Sequence, residues 1–337
     1  MSEIREVARR AGVSIATVST VLNESGPVSA RAREKVLEAV AAVGYEPNRI
    51  AQSLRKGRSR LIGLVVSEIA NPFFAALTRE IGRAAQEAGY SVIVCDTDED
   101  IGQERAMLEV LRGQRVAGII LAPAGSGRAY VDSLRAGARA PLVIVDRQLA
   151  DIASDFVGLD NRAAGRLITE YLIRLGHRRI GFIAGREGIS TADDRHAGFV
   201  DALTDAGVVP DTGLHVRADF RGDAAYDAVQ PLLTRSDRPY AIIAANNLMA
   251  LGALQSANDL GFRCPEDISI AGIDDFPWSG AMRPRLTTVA QPIDLIGRTA
   301  VERLVERMRN PSGGQVHRVA YPAQLLVRDS CARVDVC

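Results

Sequence analysis

Apolar positions at the start of the chain recur with helical spacing. Ile4, Val7, Ala8 and Ala11 share one face, the stripe of a short amphipathic helix. Gly12 interrupts it. Ser14 is a good N-cap for a second helix carrying Ala16, Val18, Val21 and Leu22, which Asn23 and the Gly26-Pro27 step bring to an end. A third helix is predicted from Ser29 to about Val43, with Val36, Leu37, Val40 and Ala41 inward and Arg31, Arg33 and Lys35 outward. Two short helices across a glycine turn make a helix-turn-helix, and the third completes a small core.

After residue 60 the period changes. Apolar runs of strand length alternate with helical stretches, such as the face made by Ala164, Leu167, Ile168, Tyr171, Leu172 and Leu175. The clearest strands are 61–67, 91–96, 118–122, 141–146, 155–160, 179–185, 240–245 and 268–274. This alternation predicts parallel sheets covered by helices on both faces, and so many strands predict two doubly wound α/β subdomains. Ligands of such sheets bind beyond the carboxyl ends of the strands. That rule selects Ser67, Asp96, Asp146, Arg147, Asp160, Asp274 and Asp275, whose polar groups suit hydroxyl-rich ligands. Asp160, ahead of Asn161-Arg162, reads better as a helix cap.

Composition excludes several classes. A chain of 337 residues at 47% hydrophobic and 24% charged is long enough for two or three folded domains and is not disordered, collagenous or disulfide-stapled. No apolar run approaches the roughly 18 residues of a membrane helix, and charges at Glu3, Arg5 and Glu6 replace the start of a secretory signal, so a cytoplasmic location is expected. The 41 basic and 41 acidic groups cancel, but unevenly: residues 1–60 hold 11 basic and 6 acidic side chains, leaving 30 basic and 35 acidic in the rest. A head of +5 suits nucleic-acid phosphates, and a body of −5 does not. Lysines occur only at Lys35 and Lys56, which excludes Schiff-base, pyridoxal-phosphate and GxxxxGK chemistry from the body. Cys95, Cys264, Cys331 and Cys337 are too far apart for CxxC metal spacing and are expected to be free thiols, with Cys331 and Cys337 alone inviting a redox reading.

The segments IREVARRAGVSIATVSTVLN and VSARAREKVLEAVAAVGYEPNRIAQSLR resemble the N-terminal domain of the LacI family of bacterial repressors. By that resemblance, Ser14 to Asn23 form the recognition helix in the major groove. Ile15, Ala16 and Thr20 then reach base edges, while Thr17, Ser19 and Asn23 meet phosphates. The commonest family pattern carries Arg at the position of Thr20, and a threonine cannot make a bidentate contact to guanine. NRIAQSLR (48–55) would form a hinge helix with Arg49 on the DNA, pairing across a dimer so that Leu54 wedges into the minor groove. Packing of the same face on its own body is the competing reading.

Body segments SEIANPFFAALTREI, IVDR, LIRLGHRRIGFIAG, DRHAGFVDAL, NNLMALGAL, ISIAGIDD and PRLTTVAQP are similar to the regulatory core of the same family, which in turn resembles periplasmic sugar-binding proteins. The resemblance implies effector contacts at Phe73, Phe74, Arg147, Thr191, Arg195, Phe220, Asn246, Asn247, Asp274 and Gln291. Phe74 and Phe220 would stack on a ring face while Arg147, Arg195 and Asp274 hold its rim; for Phe73, ordinary helix packing competes. Many sugar-responsive relatives carry Asp at the position of Asn247. Trp278 would add either an aromatic wall or a dimer contact.

Catalytic signatures are missing. No G-x-S-x-G elbow occurs, and no GxGxxG follows a strand. The run Asp96-Thr97-Asp98-Glu99-Asp100 starts like a calcium loop, but Ile101 and Met107 stand where Gly and Glu belong. It reads as a solvated turn with at most one ligand-facing member. His177, His196, His215 and His317 share no metal-ligand spacing. The expected domains are therefore a helix-turn-helix at 1–47, a hinge helix and linker at 48–60, and an effector-binding core at 61–337 of two α/β subdomains, with crossovers near 160, 290 and 320. The expected function is a dimeric repressor of carbohydrate-use genes, without metal, cofactor, membrane partner or enzymatic activity, whose grip on operator DNA is switched by a small sugar or sugar derivative. A corepressor-dependent regulator of a non-sugar pathway, a sugar carrier and a Rossmann-like enzyme are the alternatives.

Overall fold

The computed structural model describes residues 3–23, 26–45, 59–137, 140–150, 152–310 and 314–334. The chain divides into two compact units, Met1–Ser59 and Arg60–Cys337. Among the described residues, no helix is long and apolar enough to cross a membrane.

In the first unit, α1 (Glu3–Ala11), α2 (Ile15–Asn23) and α3 (Ala30–Val43) enclose Val7, Ala8, Ala11, Val18, Val21, Val36 and Ala39. Gly12 has φ +66°, a left-handed turn that costs glycine little. The Val13 amide donates to Ala8 O at 3.1 Å across it. Ser29 caps α3 by accepting from the Ala32 amide at 3.3 Å, and Gly44, at φ +63°, stops the helix. The inward face of α3 differs from the expected one. Val36 and Ala39 are buried with Val40 and Val43 beside them, whereas Leu37 is 51% exposed and Ala41 is also exposed. Both sets obey helical spacing, and packing on α1 and α2 selects between them.

The second unit holds two six-stranded sheets. Its strands are β1 (Leu61–Val66), β2 (Ser91–Asp96), β3 (Gly118–Leu121), β4 (Leu142–Val145), β5 (Asp155–Leu159), β6 (Ile180–Ala184), β7 (His215–Arg217), β8 (Ala241–Ala244), β9 (Ser269–Ile273), β10 (Thr287–Ala290), β11 (Arg318–Tyr321) and β12 (Gln324–Leu326). Its helices are α4 (Pro72–Glu87), α5 (Ile101–Gly113), α6 (Arg128–Gly137), α7 (Asn161–Arg174), α8 (Ser190–Asp205), α9 (Gly222–Leu233), α10 (Asn247–Asp259) and α11 (Ile293–Arg309). The first sheet runs β11-β5-β4-β3-β1-β2 and the second β12-β10-β9-β8-β6-β7. All pairings are parallel except β10 with β12.

The eight strands expected from apolar runs are all present. The four others, β7, β10, β11 and β12, are only three or four residues long, and distant partners define them, as where Val319 stands opposite Val157. Side chains alternate across each strand. Ile62, Leu64 and Val66 pack with Leu77, Ile81, Ile296 and Leu304, while Val65 packs with Leu108, Leu111, Val131 and Leu134. Strands covered on both faces read as continuous apolar runs for this reason.

The chain passes between the sheets after β5, after β10 and between β11 and β12. At the first passage Asp160 caps α7, its carboxylate accepting from the Ala163 amide at 3.0 Å. Helices α7 and α8 then touch backbone to backbone. A Cβ on Gly165 would lie 2.1 Å from Arg195 O, and one on Gly198 would lie 2.0 Å from Arg162 O. Only hydrogen fits at either place, and the contact holds Arg195 against the cleft between the two lobes.

Candidate functional site

On the first unit, Ser14, Ile15 and Ala16 are exposed, Thr17, Ser19 and Thr20 are half-buried, and Val18 and Val21 are buried. Ser14 Oγ accepts from the Thr17 amide at 3.0 Å, which satisfies one of the unpaired amides at the start of α2. Thr20 Oγ1 donates to Ala16 O at 2.9 Å. Arg5, Arg10, Arg31 and Lys35 are also exposed on this unit, so the small helical body carries cations around a polar and aliphatic helix start. The Asn23 side chain, Arg49, Leu54 and the hinge segment 48–55 lie outside the described residues.

In the second unit a small cavity opens between the carboxyl ends of the two sheets. The first lobe contributes Glu68 and Asn71 after β1, Phe73 and Phe74 from the first turn of α4, Glu99 after β2, and Asp146 and Arg147 after β4. The second contributes Thr191 and Arg195 from α8, Phe220 after β7, Asn246 at the start of α10 and Asp274 after β9. Asn71 caps α4, accepting from the Phe73 amide at 3.0 Å, so one local signal aims both phenylalanines.

Arg147 is buried here, at 4% exposure. Its Nη1 donates to Glu99 Oε2 at 2.7 Å and to Pro123 O at 2.9 Å, and its Nη2 donates to Glu99 Oε1. Its Nε is buried and has no hydrogen-bond partner among the described residues; Asp146 Oδ2 is 3.7 Å away. The guanidinium also lies 5.4 Å from the Phe220 ring centre, within cation–π range. Across the cavity, Arg195 donates to Asn161 Oδ1 at 2.8 Å, Ala245 O at 2.5 Å and Asp274 Oδ2 at 3.2 Å. Burial, reinforced by Asp274 and Glu99 against the pull of Arg147 and Arg195, pushes the Asp146 carboxyl up to about 6. Burial and then Glu99 raise that of Glu68.

Backbone strain gathers at the same place. Of the seven non-glycine residues with positive φ among the described residues, Glu99 (+58°), Asp146 (+63°), Phe220 (+67°) and Asp274 (+72°) line the cavity. Such conformations persist only where surrounding structure over-determines them, and they concentrate at functional sites. They also repeat between lobes: Asp98-Glu99 follow β2 as Asp219-Phe220 follow β7, and both pairs are left-handed.

Among the described residues, three hydrogen bonds cross the cleft. Asn247 Nδ2 donates to Asn71 Oδ1 at 3.1 Å, the Gln148 amide donates to Ser190 Oγ at 2.7 Å, and Arg186 Nη1 donates to Glu99 O at 3.2 Å. Asn247 therefore spans the lobes and is not part of the cavity wall. Gln291 stands behind the wall, its Nε2 donating to Asp274 Oδ1 at 2.5 Å.

Of the residues picked by the strand-end rule, Asp146, Arg147 and Asp274 reach the cavity. Asp96 instead accepts from the Ile69 amide at 3.2 Å, and Asp275 is held by Arg328, Ser279 and Thr288. Trp278 is 49% exposed and packs edge-on to Phe276, away from the lining. Glu68 and Asn71 carried no sequence signal. Glu99 did, as a member of the acidic run, but nothing in that run showed which member turns inward. His196 and His215 meet at 3.1 Å beside Phe182 and Phe199, and no group among the described residues could hold a metal. Cys95, Cys264 and Cys331 are free thiols; Cys337 lies outside the described residues.

Residues 3–48 match the bacterial regulatory proteins of the lacI family, and residues 169–331 match a periplasmic binding protein-like domain. The chain is 36% identical to the ribose operon repressor of Halalkalibacterium halodurans over 98% of its own length and 97% of that protein's. It is 33% identical to the transcriptional repressor PurR of Photobacterium profundum, covering 92% of this chain and 93% of the other. A solved Lac repressor dimer bound to operator and the anti-inducer ONPF superposes with a TM-score of 0.86 at 30% identity, over 97% of this chain and 98% of that one. Similarity of this extent, carried by both units, shows that the chain belongs to the lacI family of bacterial regulatory proteins, DNA-binding transcriptional repressors and not enzymes.

Proposed function

We propose that this repressor controls carbohydrate-use genes and acts in the cytoplasm as a dimer on a near-palindromic operator. In this reading the cleft of its second unit binds a small sugar or sugar derivative. The observation that carries it is the buried Arg147 Nε without a hydrogen-bond partner among the described residues, in a cavity where strand ends of both sheets converge. A buried donor is normally satisfied, and a ligand acceptor completes the account. Support also comes from the ribose operon repressor at 36% identity and from a structural neighbour that holds an operator together with a small molecule.

Effector binding between the lobes favours one relative angle of the two and so biases whether the DNA-binding units engage both half-sites. Ser14, Ile15, Ala16, Thr17, Ser19, Thr20 and Asn23 read the major groove, with Arg49 and Leu54 acting at the operator centre. Phe73, Phe74, Arg147, Thr191, Arg195, Phe220, Asn246 and Asp274 surround the effector, with Asn247 and Gln291 supporting them. A gel shift with fragments upstream of its own gene, at two salt concentrations and with a sugar panel, tests the reading. Expected are one fragment bound above nonspecific DNA and a sugar that changes that binding. No preferred fragment, with or without any sugar, overturns it. Leu54→Ala should abolish tight operator binding and leave effector affinity unchanged.

A further inference from the structure

We infer that the effector is an uncharged, hydroxyl-rich molecule, and that Glu99 sets this preference by occupying the charge of Arg147. The inference rests on the reading of the cleft as the effector site. Four carboxylates line the cavity, those of Glu68, Glu99, Asp146 and Asp274, against two guanidinium groups, Arg147 and Arg195. Both cations are taken. Glu99 grips both terminal nitrogens of Arg147, the paired geometry that a ligand carboxylate or phosphate would otherwise use. Arg195 is engaged by Asp274, Asn161 and Ala245.

Glu99 is no mobile surface acid. Its side chain is 12% exposed, its amide donates to Ser67 O at 2.8 Å, its carbonyl accepts from Arg186 at 3.2 Å, and its backbone is left-handed at φ +58°. The corresponding loop of the other lobe puts Phe220 at φ +67°, so Arg147 sits between a carboxylate from one lobe and a ring from the other. The cavity offers a ligand the buried N–H donor at Arg147, and carboxylates outnumber guanidinium groups four to two on its wall. Hydroxyl groups meet both demands, since each donates and accepts without charge. An anion would add to an excess of negative charge shielded from water.

The test is calorimetric titration of the full-length protein with two series. The first is ribose, xylose, glucose and galactose; the second is ribonate, xylonate, gluconate, galactonate, ribose 5-phosphate and glucose 6-phosphate. Binding is expected within the first series, with the matching acid weaker by about a hundredfold or more. Glu99→Gln, which keeps the shape and frees the charge of Arg147, should cut that discrimination by about tenfold or more. An acid or phosphate bound as tightly as the neutral sugar overturns the inference and leaves the sugar-sensor reading standing. Undiminished discrimination in Glu99→Gln removes the role of Glu99. No response to either series removes the sensor reading and the inference together. Should Glu99→Gln not fold, the wild-type comparison alone decides the ligand class.

Discussion

Asp146 and Asp274 hold the same place in two different sheets. Each directly follows the third strand of its sheet, counted from β11 or from β12. Each has a left-handed backbone, at φ +63° and +72°, and each is buried at the cavity, 7% and 5% exposed. The immediate reversal of the chain after the strand points each carboxylate into the cleft from its own lobe. Aspartate tolerates this backbone better than most side chains.

Backbone and side-chain roles of Asp274 can therefore be separated. Asp274→Gly and Asp274→Ala both strip Arg195 and Gln291 of a partner and should abolish effector binding. Only alanine adds backbone strain, so its unfolding free energy in urea should be lower than that of the glycine variant by about 1–2 kcal/mol. Equal stabilities would show that the left-handed turn stores no strain.

Asp146 predicts a pH dependence of effector affinity. Its carboxyl titrates at about 6 because burial disfavours the charged form. An effector whose hydroxyl groups donate to the carboxylate prefers the ionised state, so a proton competes with it. Affinity should be level above pH 7 and fall through pH 6, approaching about tenfold per unit below it. Titrations from pH 5 to 8 in which Asp146→Asn shows the same slope as wild type would reject this assignment.

Asn247 predicts an effect on closure. Its amide donates to Asn71 Oδ1 across the cleft, which an aspartate cannot do while ionised. Asn247→Asp sets two acceptors facing each other at a buried position, at a cost of about 1–3 kcal/mol. The expected outcome is a larger radius of gyration for the isolated second unit by small-angle scattering, together with weaker effector binding. An unchanged scattering curve would detach this bond from the closure of the lobes.

Thr20 predicts a change in operator preference. Its hydroxyl is bonded back to Ala16 O, and a threonine offers no forked donor to a guanine edge. Thr20→Arg should favour guanine at one base pair of each half-site by about 1–3 kcal/mol in competition binding to randomised half-sites. A site profile identical to wild type would place Thr20 away from the bases.

Legibility followed the range of the forces involved. The helix-turn-helix could be read because Gly12 and the stripe from Ile4 to Ala11 act over a few residues, and the eight core strands because each is a run buried on both faces. Short strands such as β7 and β12 escaped detection, since their pairing depends on partners elsewhere in the chain. The face of α3 was misjudged at Leu37 and Ala41, where two apolar stripes compete and only the neighbouring helices choose. At the cleft, Arg147 and Asp274 were marked by their position after strands. Glu99 was one of five residues in a polar run and could not be told from Asp98 or Asp100.

By itself the amino-acid sequence determined the three-helix head, the eight core strands of the two doubly wound lobes, the basic first unit and the family to which the chain belongs, because periodicity, local caps and charge are properties of neighbouring residues. Only the tertiary structure decided which polar groups meet. Glu99 and Arg147 are 48 residues apart, Arg195 and Asp274 are 79 apart, and Asn71 and Asn247 are 176 apart. A buried charge must find its partner in space, and the parallel sheets bring these strand ends together without any regularity in their spacing along the chain.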